Sequence, residues 1–356
     1  MQLHRLVALA LVPQVVGVFM VAKTMAQSTP SEFAELSLLE LFEQTIDDTG
    51  SSGPKSPWTF AYQYRFAEFE GYLDGTKSLS FQDVLWNGPG EQRTAKNFPI
   101  VPTRITQSVH TVGVGYQLDD NWQLYLSVPY IRQESDHISI VRDYDFFVIE
   151  THGMGDTSVS ASYRWNDAAE HIWQFSFGLT LPTGSIDEVG DTPRAPGNQQ
   201  LPYTMQLGSG TYDIPLELSY QHSELQNIDV RLSANIRTGR NDRSYRLGNN
   251  YTLSSRYQFH LSPTIQSFAG VNVQYSESIH GQDDSLLVNA AFPYPAAITN
   301  PDLYGGTKVN VRLGLLWQFS QANRLNIEVG KPVYQDLNGP QPKEQWRSSI
   351  QISRAL

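Results

Sequence analysis

The chain has 356 residues and a net charge of -11, contains no cysteine, and is 12% aromatic but only 17% charged. The missing cysteines exclude disulfides, thiolate metal sites and a lipidated N-terminal cysteine, and the acidic balance argues against nucleic acid as a partner. Such a length fits two soluble domains or one large barrel; the polar mean hydropathy excludes a bundle of membrane helices but not a barrel, whose lumen and loops dilute its apolar face.

Residues 1–26 read as a signal peptide. His4 and Arg5 open it, 6–22 are mostly apolar, and Thr24-Met25-Ala26 offers small residues at the cleavage positions, so the mature chain is expected to start at Gln27. Pro13 and Gln14 interrupt the apolar run well short of the ~20 residues that a spanning helix needs. Residues 27–57 form a second segment. Within it, 31–48 carries Phe33, Leu36, Leu39, Phe42 and Ile46 at helical spacing, with Ser31 as a cap and Gly50 as a stop. Its charges are all acidic: Glu32, Glu35, Glu40, Glu43, Asp47 and Asp48. The spacing predicts a short periplasmic helix. Isolated helices of this length are marginal in water, so it needs a partner surface: the barrel mouth or a separate periplasmic protein. A Gly/Ser/Pro linker, 49–57, follows.

From 58 to 356 the chain alternates with period two, and twelve strand-like segments emerge. The clearest pair lies at 159–181. Val159, Ala161, Tyr163 and Trp165 alternate with Ser158, Ser160, Ser162 and Arg164. After a short polar connection, Trp173, Phe175, Phe177, Leu179 and Leu181 alternate with Gln174, Ser176, Gly178 and Thr180. Side chains on a strand point to opposite faces, so this is a hairpin with one apolar and one polar face, and its aromatics gather at one height beside the turn. A membrane barrel wants that, because Trp and Tyr sit well at the headgroup level.

The connections alternate in length. Long ones are expected at 67–104, 134–155, 182–209, 238–249 and 276–306, and a medium one at 334–345. Short ones lie at 119–121, 166–171, 221–226, 260–263 and 320–323. Long loops on one rim, short turns on the other and an even strand count are the requirements of an antiparallel transmembrane β-barrel of the Gram-negative outer membrane, with both ends on the periplasmic side. Leu356 stands where many bacterial barrels end in Phe.

Four pieces carry a resemblance: Gly153-Met154-Gly155-Asp156 with its strand to Tyr163-Arg164; Leu181-Pro182-Thr183-Gly184; the run 201–213, Leu-Pro-Tyr-Thr-Met-Gln-Leu-Gly-Ser-Gly-Thr-Tyr-Asp; and the run 241–248, Asn-Asp-Arg-Ser-Tyr-Arg-Leu-Gly. The stretch from about 109 to 281 resembles a family of bacterial outer-membrane transporters, the "MetA-pathway of phenol degradation" group. The resemblance implies an outer-membrane barrel with a transport role, and it brings no catalytic residues.

By parity the lumen receives Arg65, Arg164, Arg231, Arg237, Arg256, Arg312 and Arg347 against Asp213, Glu217, Asp229 and Glu328. Charges inside a barrel are tolerated when hydrated or paired. The expected function is a narrow, porin-like channel for small polar or aromatic solutes, with a weak preference for anions; a closed structural or adhesive barrel is the first alternative and an outer-membrane lipid-modifying enzyme the second. Phe268 is the clearest inward aromatic, so a greasy conduit has little support. The loop 182–209 either shapes the rim or folds inward as a constriction. Asp136, Asp143, Asp145, Glu150, Asp187, Glu188 and Asp191 read as a solvated acidic rim rather than a cation site. His152 lies four residues from Asp156, but no nucleophile-elbow serine or zinc-spaced histidine pair accompanies it. No catalytic residue, metal or cofactor is expected, and the partners are outer-membrane lipid and the barrel-insertion machinery.

Overall fold

The computed structural model describes residues 56–356 apart from 168–170 and 223–226. The signal peptide and the acidic helix expected at 31–48 lie outside the described residues.

Hairpins build the wall in chain order. β1 (Trp58–Gly75) turns into the short β2 (Lys77–Leu79) and helix α1 (Phe81–Val84), and the wall resumes with β3 (Ile100–Gln117) and β4 (Trp122–Ser139). Next come β5 (Phe146–Met154), β6 (Thr157–Asp167) and β7 (His171–Leu181). A loop bearing a small hairpin, β8 (Val189–Asp191) and β9 (Asn198–Gln200), separates β7 from β10 (Asp213–His222) and β11 (Ile228–Arg237). After β12 (Tyr245–Arg246) follow β13 (Asn250–Ser262) and β14 (Ile265–Ser276). β15 (His280–Gly281) pairs with β12 in the loops, and β16 (Gly306–Gln318) and β17 (Asn323–Ala355) complete the chain.

Eleven of these elements close one antiparallel ring, in the order β1, β3, β4, β6, β7, β10, β11, β13, β14, β16, β17, and β17 pairs back onto β1. An antiparallel ring needs an even number of crossings. The 33-residue β17 supplies the extra one. Its first part, 324–337, pairs with β16, and its second, 337–355, pairs with β1. The chain therefore reverses between them, around Gly339, whose φ of 71° lies in the left-handed region that glycine adopts without a Cβ clash. Counted as crossings, the barrel has the twelve expected strands.

The exterior is that of a membrane barrel. Trp58, Phe60 and Tyr62 on β1, Leu124 and Leu126 on β4, and Leu313 on β16 are exposed large apolar side chains, all outward by register. Burying such a surface in lipid is favourable at roughly 25 cal/mol per Å². At the short-turn ends the aromatics meet across strands, Trp58 with Tyr116 (centroids 4.6 Å apart), Trp122 with Tyr163 (4.9 Å) and Trp173 with Tyr220 (4.6 Å), and at the end of β16 Trp317 lies beside Phe319 (5.5 Å). This is the expected aromatic belt. The wall spans a bilayer.

The long rim departs from expectation. Much of 67–104 and 134–155 is strand, not loop: β1 runs on to Gly75, β3 begins at Ile100, β4 reaches Ser139, and β5 pairs with β4 from Tyr130 to Ile138 above the β4–β6 pairing. The reason is an inversion of the pattern. In the upper wall of β1 and β3 the outward residues turn polar, such as Glu68 and Arg104, which pair at 2.6 Å, while the inward ones there and on β4 include Ala67, Phe69, Ile105, Val109 and Ile131, all buried. Alternation read as apolar-out stops at the membrane edge, so the continuation looked like loop.

Candidate functional site

The lumen face is fixed by parity: wherever a neighbour such as Leu232 or Tyr257 is exposed to lipid, the residue beside it points inward. Arg231 and Glu217 meet on adjacent strands at 2.7 Å, and Asp229 lies 3.6 Å from the same guanidinium. Arg237 and Asp213, paired in register on β11 and β10, form a fully buried ion pair. Arg312 on β16 reaches Glu328 on β17 at 3.3 Å. Arg347 binds Glu344 through two nitrogens at 2.6 Å each. Arg256 stands 5.4 Å over the face of Phe268, itself buried on β14. Arg65 is buried between Gln63 and Ala67 on β1, and Arg164 sits opposite Gln174 low on β6. The expected residues thus face one lumen but form several separate pairs around it, and removing one partner of such a pair strands a buried charge.

Two charged residues of this lining escaped the sequence reading. Lys308 on β16 and Glu344 on β17 are buried and bond at 2.9 Å, so Glu344 bridges Lys308 and Arg347. Glu344 was missed because 334–345 was expected to be a connection, whereas β17 runs through it as strand, with a β-bulge beside Glu344. Glu68 pairs with Trp346 but Phe69 pairs with Glu344, so Gln345 is the extra residue and the parity switches there. The expectation that Phe268 is the main inward aromatic needs widening: Phe69, Tyr72 and Tyr125 are inward and buried as well.

Of the two options for the third long loop, the structure shows the inward one. Leu207 packs against Ala67, Phe69, Ile105, Val109 and Ile131 of the wall. Gln133 of β4 donates to the Gln206 carbonyl at 2.9 Å, and Thr151 of β5 donates to the Met205 carbonyl at 2.9 Å. Leu201 and Met205 join Ile149 in a second buried group. Above them Tyr203, Tyr245 and Tyr304, from three different loops, pack with Leu247, Ile279 and Leu286. Burial raises the phenol pKa of Tyr203, so it stays protonated; its oxygen accepts the Asp283 backbone N–H at 2.9 Å. The first loop joins this cap through Arg93, which stacks on Phe98 and Phe292 and donates to the Tyr294 carbonyl at 2.9 Å.

The four pieces that carried the family resemblance meet at one point, the neck of the inward loop. Asp156, at the break between β5 and β6, accepts the Gly184 N–H at 2.8 Å, and both the N–H and the hydroxyl of Ser209 at 2.8 Å. Thr183 donates to the Gly155 carbonyl at 3.0 Å, and Asn241 donates to the Ser209 carbonyl at 3.0 Å. A Cβ on Gly184 would stand 2.7 Å from the Gly208 Cα, so the two limbs can touch only as glycines. In sequence these were separate strand-end motifs; nothing in their spacing revealed that they share one contact.

The acidic rim is dispersed. Asp136 and Glu150 lie on strands β4 and β5 rather than in a loop, and Glu150 pairs with Arg132 at 3.6 Å. Asp187 pairs with Arg243 at 2.6 Å, and Asp191 accepts the Tyr144 hydroxyl at 2.7 Å. Asp143 stands 4.0 Å from Arg142 on the surface. Asp145 and Glu188 engage through their backbone carbonyls, which accept from Ser139 and Leu201. His152 lies on the exposed face of β5, and the Asp156 carboxylate is taken up by the neck.

No family model matches the sequence, and neither does any curated protein. Solved structures do match in shape. An outer-membrane channel from Pseudomonas putida F1 aligns with a TM-score of 0.54 at 14% identity, covering 87% of this chain and 98% of that one. The translocator domain of the autotransporter NalP from Neisseria meningitidis gives a TM-score of 0.43 at 10% identity, over 90% and 93% of the two chains. A KdgM porin gives 0.39 at 10% identity, over 84% and 99%. The first likeness is one of fold: this chain has the fold of an outer-membrane β-barrel.

Proposed function

We propose that this protein is an outer-membrane channel for small solutes, held closed in this conformation by its inward loop. The observation that carries the reading is the pairing of a lipid-facing apolar band with a lumen lined by ionised groups. A barrel needed only as a scaffold could fill its interior with apolar side chains at lower desolvation cost. The inward basic residues, with Lys308 added, outnumber Asp213, Glu217, Asp229, Glu328 and Glu344, which favours anions weakly. The convergence of all four motif pieces on the loop neck supports membership of the "MetA-pathway of phenol degradation" group, because one shared contact explains why they occur together. The packed cap supports a second reading, a closed structural barrel.

Single-channel recording in planar bilayers separates the two. A channel gives discrete openings, with reversal potentials in asymmetric salt shifted weakly toward anions, and the double change Arg231→Ala with Arg256→Ala reduces that shift. Silence in the wild type, and also in a variant whose loop tip has been excised, selects the structural barrel.

A further inference from the structure

We propose that Asp156 is the latch of the closing loop: one half-buried carboxylate holds both limbs of its neck, and losing it releases the loop from the lumen. The inference rests on the channel reading above and adds the residue that positions the gate.

The geometry separates the neck from the tip. At the neck Asp156 is shared between the descending limb, through the Gly184 N–H at 2.8 Å, and the returning limb, through two donors of Ser209 at 2.8 Å. Hydrogen bonds to an ionised acceptor are roughly twice as strong as neutral ones. Thr183 fastens the descending limb to the wall, accepting the Thr157 N–H at 2.8 Å and donating to the Gly155 carbonyl at 3.0 Å. Ser209 extends the chain of contacts: its hydroxyl also accepts the Thr211 N–H at 3.1 Å, and the Thr211 hydroxyl donates to Asp213 at 2.7 Å. Asp213 is in turn paired with Arg237 in the wall. Both limbs are therefore anchored to opposite sides of one carboxylate.

The tip is held differently. Leu207 sits in an apolar pocket of the wall, and Gln206 and Met205 are held by neutral side-chain donors to their carbonyls. Those contacts require the two limbs to enter side by side. Closing a free loop costs entropy that grows with its length, and a clamp at the neck removes most of that cost before the tip docks. Asp156 acts through the loop.

The experiment uses the full chain in planar bilayers and in vesicles. Four proteins are compared: wild type, Asp156→Ala, Ser209→Ala, and a variant with 186–207 replaced by a short Gly-Ser linker. Native folding is checked first by heat-modifiable gel migration. The linker variant should conduct continuously. Asp156→Ala should raise open probability about tenfold or more, as expected for losing at least one charge-assisted hydrogen bond, and Ser209→Ala should raise it less. A conducting linker variant beside a wild-type-like Asp156→Ala overturns the latch while leaving the channel intact.

If none of the four conducts, the channel reading fails and the latch is judged by protease cleavage within 186–205. Faster cleavage in Asp156→Ala supports it, and unchanged cleavage overturns it. If Asp156→Ala does not fold, Asp156→Asn replaces it: that variant keeps the volume but turns an amide N–H₂ toward one of the donors. Wild-type gating in folded Asp156→Asn also overturns the proposal.

Discussion

On strand β4, Leu124 and Leu126 point outward and are exposed, whereas Ile131, a little higher on the same strand, points inward and is buried. The same contrast separates Phe60 and Tyr62 from Ala67 and Phe69 on β1. Neither strand breaks at the change. What differs is the solvent on each side: hydrocarbon outside below, water outside above. In the band, lipid takes the apolar face and the lumen takes the charges. Above it, the polar face meets water, and the apolar face is covered by loops from around the rim. One continuous sheet is thus a membrane protein at one end and an ordinary soluble sheet at the other.

The largest effect is expected where the two regimes meet. Arg237→Ala strands Asp213 in a fully buried position and should cost about 3–5 kcal/mol, read from urea unfolding in vesicles. A loss under about 1 kcal/mol would mean that water reaches this level. Next, Ile131→Ala should cost about 2–5 kcal/mol, as for a buried core residue. Val128→Ala, on the lipid face below it, should cost a fraction of that. Equal costs for the two would erase the distinction between wall and band.

The third test inverts the second. Leu126→Arg places a charge in hydrocarbon and should destabilise by about 2–4 kcal/mol, while Glu134→Arg, outward on the same strand above the band, should cost about 0–1 kcal/mol. Finding both costly would raise the membrane boundary. The smallest effect belongs to the exposed pair of Arg132 and Glu150, 3.6 Å apart. Glu150→Ala should change stability by under about 1 kcal/mol and lose even that in high salt.

The band was legible from sequence because lipid imposes one rule on every strand: alternate, apolar outward, aromatics at the edges. The upper wall was not, because its polarity runs the other way and its polar outer face read as loop. Parity put the arginines and the inward carboxylates on one face, and in the structure Arg312 meets Glu328 while Arg237 meets Asp213 on neighbouring strands. Glu344 went unread because 334–345 was expected to be a connection, whereas β17 runs through it as strand and carries one extra residue in a bulge. Motif reading found the four pieces of the neck but not their meeting, since Asp156, Gly184, Ser209 and Asn241 are brought together by the path of the loop. Their Gly and Asp content advertised strand ends; only three dimensions show a shared carboxylate.

The seam of the ring has a further meaning. The backbone N–H of Leu356 donates to the Trp58 carbonyl at 3.0 Å, on the rim of the short turns. The two ends of the barrel are therefore neighbours in the wall, and the seam is a hairpin lacking only its turn. Seen as a closed band of ladders, the structure has no first strand, and the order of synthesis is imprinted on it at one cut. A rearranged gene that joins 356 to 57 through a short polar turn, and opens new ends at the tight turn 263–264, would encode the same ring, the same lumen pairs and the same looped neck.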